Sequence, residues 1–323
     1  MIDVSVSSDL GEIRRLWQRH WPQACLFDLW PVRACFQRQF QHAPHFLVAE
    51  RQGVFSGMLA LSWIDEEQYF GHFPGELWRG KTWIEQNRVL VADEPSFEAL
   101  WEAVPEVAQI RYLCPDGYLA EGASVTLDEV GYLFRPPEYG YNFNLYMGQF
   151  SGKSRKKMRC EIERLRARGV SFRYDCLSDV DRLFRLNLKA FGEASYFSDP
   201  RFLNAFEDLV KWLRNNHLLR VTAILVGGEL AAVDVGAVWN DTYTVLAGGT
   251  GGDFPGVAKL INFHHLEWAC RQRLREVDFL CGEFNWKNRF HLTPRPLYKM
   301  SKLIAIDGER TPVYASDLIC ATG

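Results

Sequence analysis

No apolar run in this chain of 323 residues approaches the ~20 residues of a bilayer-crossing helix, so a membrane span is not expected. The opening MIDVSVSSDLGEIRRLWQRHW lacks the charged-then-apolar layout of a signal peptide. The eight cysteines are scattered without a CxxC pair, which argues against a disulfide framework or zinc site and fits reduced core thiols. The histidines lack partners at ligand spacing, so no metal is expected. Neither sign of charge dominates. With 37 Lys and Arg against 40 Asp and Glu, the formal net charge of −3 gives no global pull toward nucleic acid or anionic lipid. A soluble, cytoplasmic protein is expected.

What is present is core material: 47% hydrophobic and 14% aromatic residues, eleven of them tryptophan. The length exceeds one ordinary core, so two domains are expected. In the first part, 1–147, Asp9–Arg19 and PVRACFQRQFQ (31–41) have helical patterns. HFLVAERQGVFSGMLALSWID (45–65) reads as two strands around a Gln52-Gly53 turn. A helix (96–107) and a strand (109–116) follow. The connecting segment 148–169 holds GKSRKKMRCEIERLRARG. There Met158, Ile162 and Leu165 form one stripe, Gly169 is a natural stop, and eight Lys/Arg stand against two Glu. Nucleic-acid contact and a solvated helix face both account for that charge.

The last part, 170–323, repeats the first in outline. A strand (170–176) and two helices, the second starting at Pro200, lead to three strands joined at Gly228-Glu229 and Asn240-Asp241. A helix (257–273), a strand (276–282), a short helical pattern NWKNRFH and a final strand LYKMSKLIAI close the chain. Hairpin-connected middle strands exclude a doubly wound parallel sheet. The expected class is α/β with a mixed sheet, and the repeated order suggests an internal duplication.

Between strand and helix lies YTVLAGGTGGDFPGVAKL, with five glycines from Gly248 to Gly256. A glycine-rich bend that opens a helix suits an anion, because backbone amides and the helix dipole point at it. It is not a Walker loop, since Val257 and Ala258 stand where Lys and Ser/Thr are required. It is not a Rossmann fingerprint either, since Phe254 occupies the third glycine position. What remains is a loop whose amides from Gly251 to Ala258 hold a pyrophosphate without an essential side chain, or a turn whose glycines supply positive φ.

Three stretches, SRKKMRCEIERLRARGVSF, GGELAAVDVGAVWNDTYTVLAGGTGGDFPGVAKLINFHHLEWA and REVDFLCGEFNWKNRF, resemble the GNAT acetyltransferase superfamily. The branch is the one related to the FemAB peptidyltransferases and the CelD-like proteins with a BioF2-like acetyltransferase domain. The likeness covers roughly 150–295 and extends weakly into the first half. It implies tandem GNAT-like domains, the first without cofactor, and an acyl-CoA such as acetyl-CoA as donor. On this resemblance Leu246, Gly248, Gly251, Gly252, Gly256, Val257, Ala258 and Lys259 hold the cofactor, with the pantetheine arm paired along 242–249. The family's Tyr-Lys pair stands here as Trp286-Lys287, which puts any role of that tyrosine hydroxyl in doubt.

Moving an acyl group to an amine needs a base, a positioned thioester and donors for the carbonyl oxygen. DFLCGEFNWK offers Asp278, Glu283 and Lys287 as catalytic candidates. Asp278 reads equally as a structural acceptor, Glu283 as a loop acid, and Lys287 as a solvated lysine. Tyr196, Phe197, Asp234 and Trp286 are the candidates for lining the acceptor site. His264 shares a helix face with Val257, Ile261 and Trp268 and reads as a core histidine. The resemblance implies an amine acceptor, such as an amino sugar or surface-polysaccharide precursor. Two other functions stay open: Fem-like transfer from aminoacyl-tRNA, supported by the basic helix alone, and a non-catalytic GNAT-fold binding module.

Overall fold

The computed structural model describes residues 1–114, 125–282 and 285–303. The first half runs β1 (Ile2–Ser7), α1 (Leu10–His20), α2 (Trp30–Phe40), β2 (Ala43–Arg51), β3 (Val54–Ile64) and β4 (Tyr69–His72). Three two-residue strands follow, β5 (Leu77–Trp78), β6 (Lys81–Thr82) and β7 (Leu90–Val91). Then come α3 (Glu94–Ala103), β8 (Val107–Leu113), β9 (Val125–Phe134), α4 (Phe143–Met147) and α5 (Gly152–Ala167). The second half runs β10 (Val170–Tyr174), α6 (Ser178–Phe191), α7 (Pro200–Asn215), β11 (Leu219–Val226), β12 (Glu229–Trp239) and β13 (Thr242–Thr250). It ends with α8 (Val257–Arg271), β14 (Glu276–Cys281), α9 (Asn285–Arg289) and β15 (Thr293–Leu303).

Local chemistry explains the boundaries. Asp9, Asp93, Ser151 and Asp199 each accept a backbone N–H as helix N-caps, and proline follows in the first turn after Asp93 and Asp199. The hairpin turns carry positive φ at both central residues: Gln52-Gly53, Gly227-Gly228 and Asn240-Asp241. Paired left-handed residues match the twist of the flanking strands. The middle turn is therefore one residue earlier than the Gly228-Glu229 expected from sequence.

All strands except β5 and β6 join one sheet, in the order β1-β2-β3-β4-β8-β15-β9-β14-β13-β12-β11-β10, with β7 beside β3. The order has a hidden symmetry. Apart from the two-residue strands β5–β7 between β4 and α3, β1-α1-α2-β2-β3-β4-α3-β8 and β10-α6-α7-β11-β12-β13-α8-β14 are the same series, and in each the last two strands are parallel (β4 with β8, β13 with β14). The strand after each series crosses over. β9 leaves the first copy to pair with β14, and β15 leaves the second to pair with β8. The two exchanged strands lie antiparallel to each other at the centre. The expected mixed α/β class and the duplication are thus both present.

The core of the second copy is built partly by the first. One apolar cluster joins α6, α7 and β11–β13 to Phe27, Phe36, Trp83 and Ile84. Phe202 lies between the copies, its ring 5.5 Å from Phe36 and 5.8 Å from Trp83. Behind the sheet, α8 packs on β14, α4 and α9 through Phe263, Leu266, Phe279 and Phe290. The apolar stripe of α5 (Met158, Ile162, Leu165) faces α8 and its neighbours, and its Lys and Arg residues stay on the outside.

Candidate functional site

The parallel strands β13 and β14 stay together for three residues only: Thr242, Tyr243 and Thr244 pair with Glu276, Val277 and Asp278. From Val245 on, β13 keeps β12 on one edge and has no strand on the other among the described residues. The β12–β13 register shifts between Gly236↔Val245 and Val235↔Ala247, so Leu246 is the extra residue of a bulge. Such a residue drops out of the ladder pairing. The result is a V-shaped split with a bulge on one arm and the glycine loop at its open end.

The first copy has the same split and fills it. β4 and β8 pair only at Phe70↔Ala108, and beyond that point Asn87 pairs with Leu113. The Asn87 amide donates to Tyr112 O (2.8 Å) and Asn87 O accepts from Cys114 N (2.9 Å). Through Asn87 the 85–88 segment thus bridges to β8, where β13 and β14 of the second copy have nothing between them among the described residues.

Residues 152–288 match the family model described as Acetyltransferase (GNAT) domain. The second copy is a GNAT domain. FemX shares the fold over 92% of this chain and 98% of its own, at 10% identity and a TM-score of 0.57. For L-PGS from Bacillus licheniformis the shares are 91% and 92%, at 9% identity and a TM-score of 0.55. A tandem GNAT protein from the clavulanic acid biosynthesis pathway gives 96% and 100%, at 12% identity and a TM-score of 0.52. These likenesses show that the chain shares one fold with these proteins over nearly its whole length. No curated protein matches its sequence.

In the GNAT domain the five loop glycines divide by cause. A Cβ on Gly248 would lie 2.5 Å from Asp234 Oδ1, and one on Gly249 would lie 2.9 Å from Leu186 Cβ of α6. Those two are demanded by packing on the two faces of β13. Gly256, the N-cap of α8, has φ +92°, which a side chain tolerates poorly. Gly251 is close to Phe254, and its amide donates to Ala231 O. Gly252 is exposed, with nothing within 4 Å of its Cβ position. Packing and backbone shape therefore account for Gly248, Gly249 and Gly256, in line with the turn reading, and leave Gly252 without a structural demand.

The start of α8 has no side-chain cap and no acid in its first turn. Val257 is buried and Ala258 exposed. Lys259 is ion-paired with Glu161 of α5, and Arg168 lies over the Phe254 ring, 5.0 Å from its centroid. The basic helix is thus built against the glycine loop.

At the far end of β14 the chain turns through left-handed Leu280 (φ 57°) and Gly282 (φ 106°). Lys287, 2% exposed, holds that turn by donating to Phe279 O (3.0 Å), Leu280 O (2.8 Å) and Cys281 O (2.8 Å). Burial pushes its pKa down, against the pull of Glu85, Cys281 and Asp278. A lysine so buried and engaged corrects the solvated-lysine reading, and its ammonium is spent on backbone carbonyls rather than offered to a substrate. Asp278, 1% exposed, accepts from Gln86 Nε2 (2.8 Å), Arg295 Nη1 (2.8 Å) and Leu280 N (2.9 Å). Its carboxylate ties the two copies together. Glu283 lies outside the described residues.

The acceptor candidates separate as well. Phe197 is 6% exposed within the shared cluster, 4.7 Å from the Phe184 ring. It is a core residue, correcting the expected lining role. Tyr196 is half-buried at the junction, 5.3 Å from Trp78 and 5.0 Å from Phe202. Trp286 packs edge-on against Phe279 and Phe290 on the α8 side of the sheet. Asp234 sits against Gly248 and pairs with His265 Nε2 at 2.9 Å. His265, fully buried, is therefore the core histidine. His264 is half-buried and stacks on Phe172, where burial lowers its pKa to about 3.

One functional candidate was absent from the sequence reading. Glu85 is 6% exposed at the junction, and its Oε1 accepts the Cys281 amide at 2.7 Å. Its Oε2 is buried without a hydrogen-bond partner among the described residues, 3.8 Å from an Arg295 nitrogen. Burial, then the Asp278 carboxylate, raise its pKa to about 7, with Arg295 opposing. Its signal was a run of four polar residues, Glu85 to Arg88, flanked by apolar Ile84 and Val89 and itself buried. Among the described residues no three His, Cys, Asp or Glu side chains cluster to hold a metal ion, and no helix is long and apolar enough to cross a membrane.

Proposed function

We propose that the GNAT domain moves an acyl group, acetyl in the simplest case, from an acyl-CoA to an amine. The pantetheine arm lies in the split between β13 and β14, pairing with the strand edge from Val245 to Gly249. The Leu246 bulge leaves a backbone amide for the thioester oxygen. The loop from Gly251 through Gly256 shapes the site, and the uncapped amides of Ala258 and Lys259 hold the pyrophosphate, since those of Gly251 and Val257 already donate to Ala231 O and Phe254 O. The acceptor enters at the junction beside Tyr196; an amino sugar or polysaccharide precursor is the class that the family resemblance favours. The single observation behind this reading is the contrast between the copies: the split filled by residues 85–88 in the first is open in the second. We accordingly assign residues 1–147 to a cofactor-free copy, 148–169 to the connecting basic helix and 170–323 to the donor-binding copy.

Calorimetric titration with CoA and acetyl-CoA tests the reading. A side chain at Gly256 would strain the backbone, whereas Gly252 has room. Gly252→Asp therefore adds a repelling carboxylate without disturbing the fold. Wild type should bind saturably and the variant at least about tenfold more weakly, a difference of about 1.4 kcal/mol. No binding by folded wild type would contradict the proposal.

Transfer from aminoacyl-tRNA is a second reading, supported by one observation. The basic α5 is seated directly on the glycine loop, through Lys259–Glu161 and Arg168–Phe254, so its outer charges adjoin the place proposed for the donor. Binding of aminoacyl-tRNA with no affinity for CoA would favour it.

A further inference from the structure

The donor reading leaves open which group takes the proton from the attacking amine. Asp278 is engaged on both oxygens, and Lys287 is occupied by carbonyls. We propose that Glu85, carried by the first copy, is the base that serves the acyl transfer in the second. The assignment rests on the acyl-CoA reading above.

Three observations carry it. First, position: Glu85 binds the amide of Cys281, three residues beyond Asp278, the last β14 residue paired with β13. Its carboxylate thus stands past the point where the strands part. The preceding residues, Trp83 and Ile84, share one apolar cluster with Leu246 of the bulge and Leu280 of β14. Second, valence: Oε1 is fixed by the Cys281 amide, while Oε2 has no hydrogen-bond partner among the described residues. A buried oxygen without a donor carries a desolvation cost that a bound N–H relieves. Third, electrostatics: the groups facing Glu85 are mixed. Burial and the Asp278 carboxylate favour its protonated form, whereas Arg295, Lys287 and the hydrogen bonds from the Cys281 amide and thiol favour the carboxylate. The balance places it near 7, where a carboxyl can both accept and release a proton.

The step balances. The amine nitrogen forms the new C–N bond to the thioester carbonyl carbon, and the C–S bond breaks. The N–H proton passes to Oε2 of Glu85 and then to the departing CoA thiolate. Amide, CoA thiol and the Glu85 carboxylate remain. The plug that closes the first copy's own split thus delivers the base to the second copy's open one.

The test uses the full chain with carboxyl-labelled glutamate and acetyl-CoA, beside Glu85→Gln, which keeps an oxygen for the Cys281 amide. Wild type should show one carbon-13 carboxyl signal titrating near pH 7, absent from the variant and displaced by saturating acetyl-CoA. The variant should bind acetyl-CoA as wild type does. Aminolysis of acetyl-CoA by hydroxylamine, small enough to reach any acceptor site, should rise with pH through about 7 in wild type. In the variant it should lose that limb and fall roughly 100-fold. Equal aminolysis by the two proteins, or a Glu85 signal indifferent to acetyl-CoA, overturns the assignment. Failure of wild type to bind acetyl-CoA would instead remove the donor reading beneath it.

Discussion

Glu85 also loads the fold in a pH-dependent way. Its carboxyl is raised to about 7 in the folded chain from about 4.3 unfolded, so the folded state binds the proton more tightly. The resulting stabilisation is full below about 4.3 and is lost as pH rises through about 7. Glu85→Gln removes this dependence. The variant should gain up to about 3 kcal/mol on wild type between pH 5 and pH 8, read from urea midpoints at the two pH values. Gly248 gives a second residue-scale prediction. A methyl there meets Asp234 Oδ1 at 2.5 Å, and that carboxylate is fixed by His265. Gly248→Ala should cost about 1–3 kcal/mol, seen as a lowered thermal midpoint. The sequence pointed to Gly248 and Asp234 as site residues without showing that each explains the other. Burial of Phe197 and Lys287 was equally hidden, because a chain does not state which loop another domain covers.

At the scale of elements, β14 and α9 act as one unit through Lys287. Lys287→Met keeps the length and leaves the Phe279, Leu280 and Cys281 carbonyls without their donor, at a cost of about 1–3 kcal/mol for each group left buried. Loss of stability in denaturant, with weakened acetyl-CoA binding as the β14 turn relaxes, is the expected outcome. Helices and hairpins were legible, because caps, apolar stripes and Gly turns are local signals. β1 and β9 were not. VTLDEVGYLF of β9 takes its partners from β14 and β15, both more than 100 residues later, and nothing nearby specifies that pairing. The glycine loop was legible as a feature, but not the packing against Asp234 and Leu186 that requires two of its five glycines.

At the scale of the molecule, the exchange of β9 and β15 makes each copy depend on the other. A fragment 148–323 lacks β9 and β8, leaving one edge of β14 and both edges of β15 without partners. Exposed edges of that kind associate. The fragment should aggregate or lack the near-ultraviolet circular dichroism of fixed aromatic packing, although it contains the whole GNAT match. The tandem order of elements could be read from the sequence, but the crossing over could not. The asymmetry of the two splits makes the central claim directly measurable by amide hydrogen exchange with and without acetyl-CoA. Binding in the open split should slow exchange across residues 245–258 and leave 69–72 and 107–113 of the first copy unchanged. Protection confined to the first copy, or no protection in either, would contradict the account.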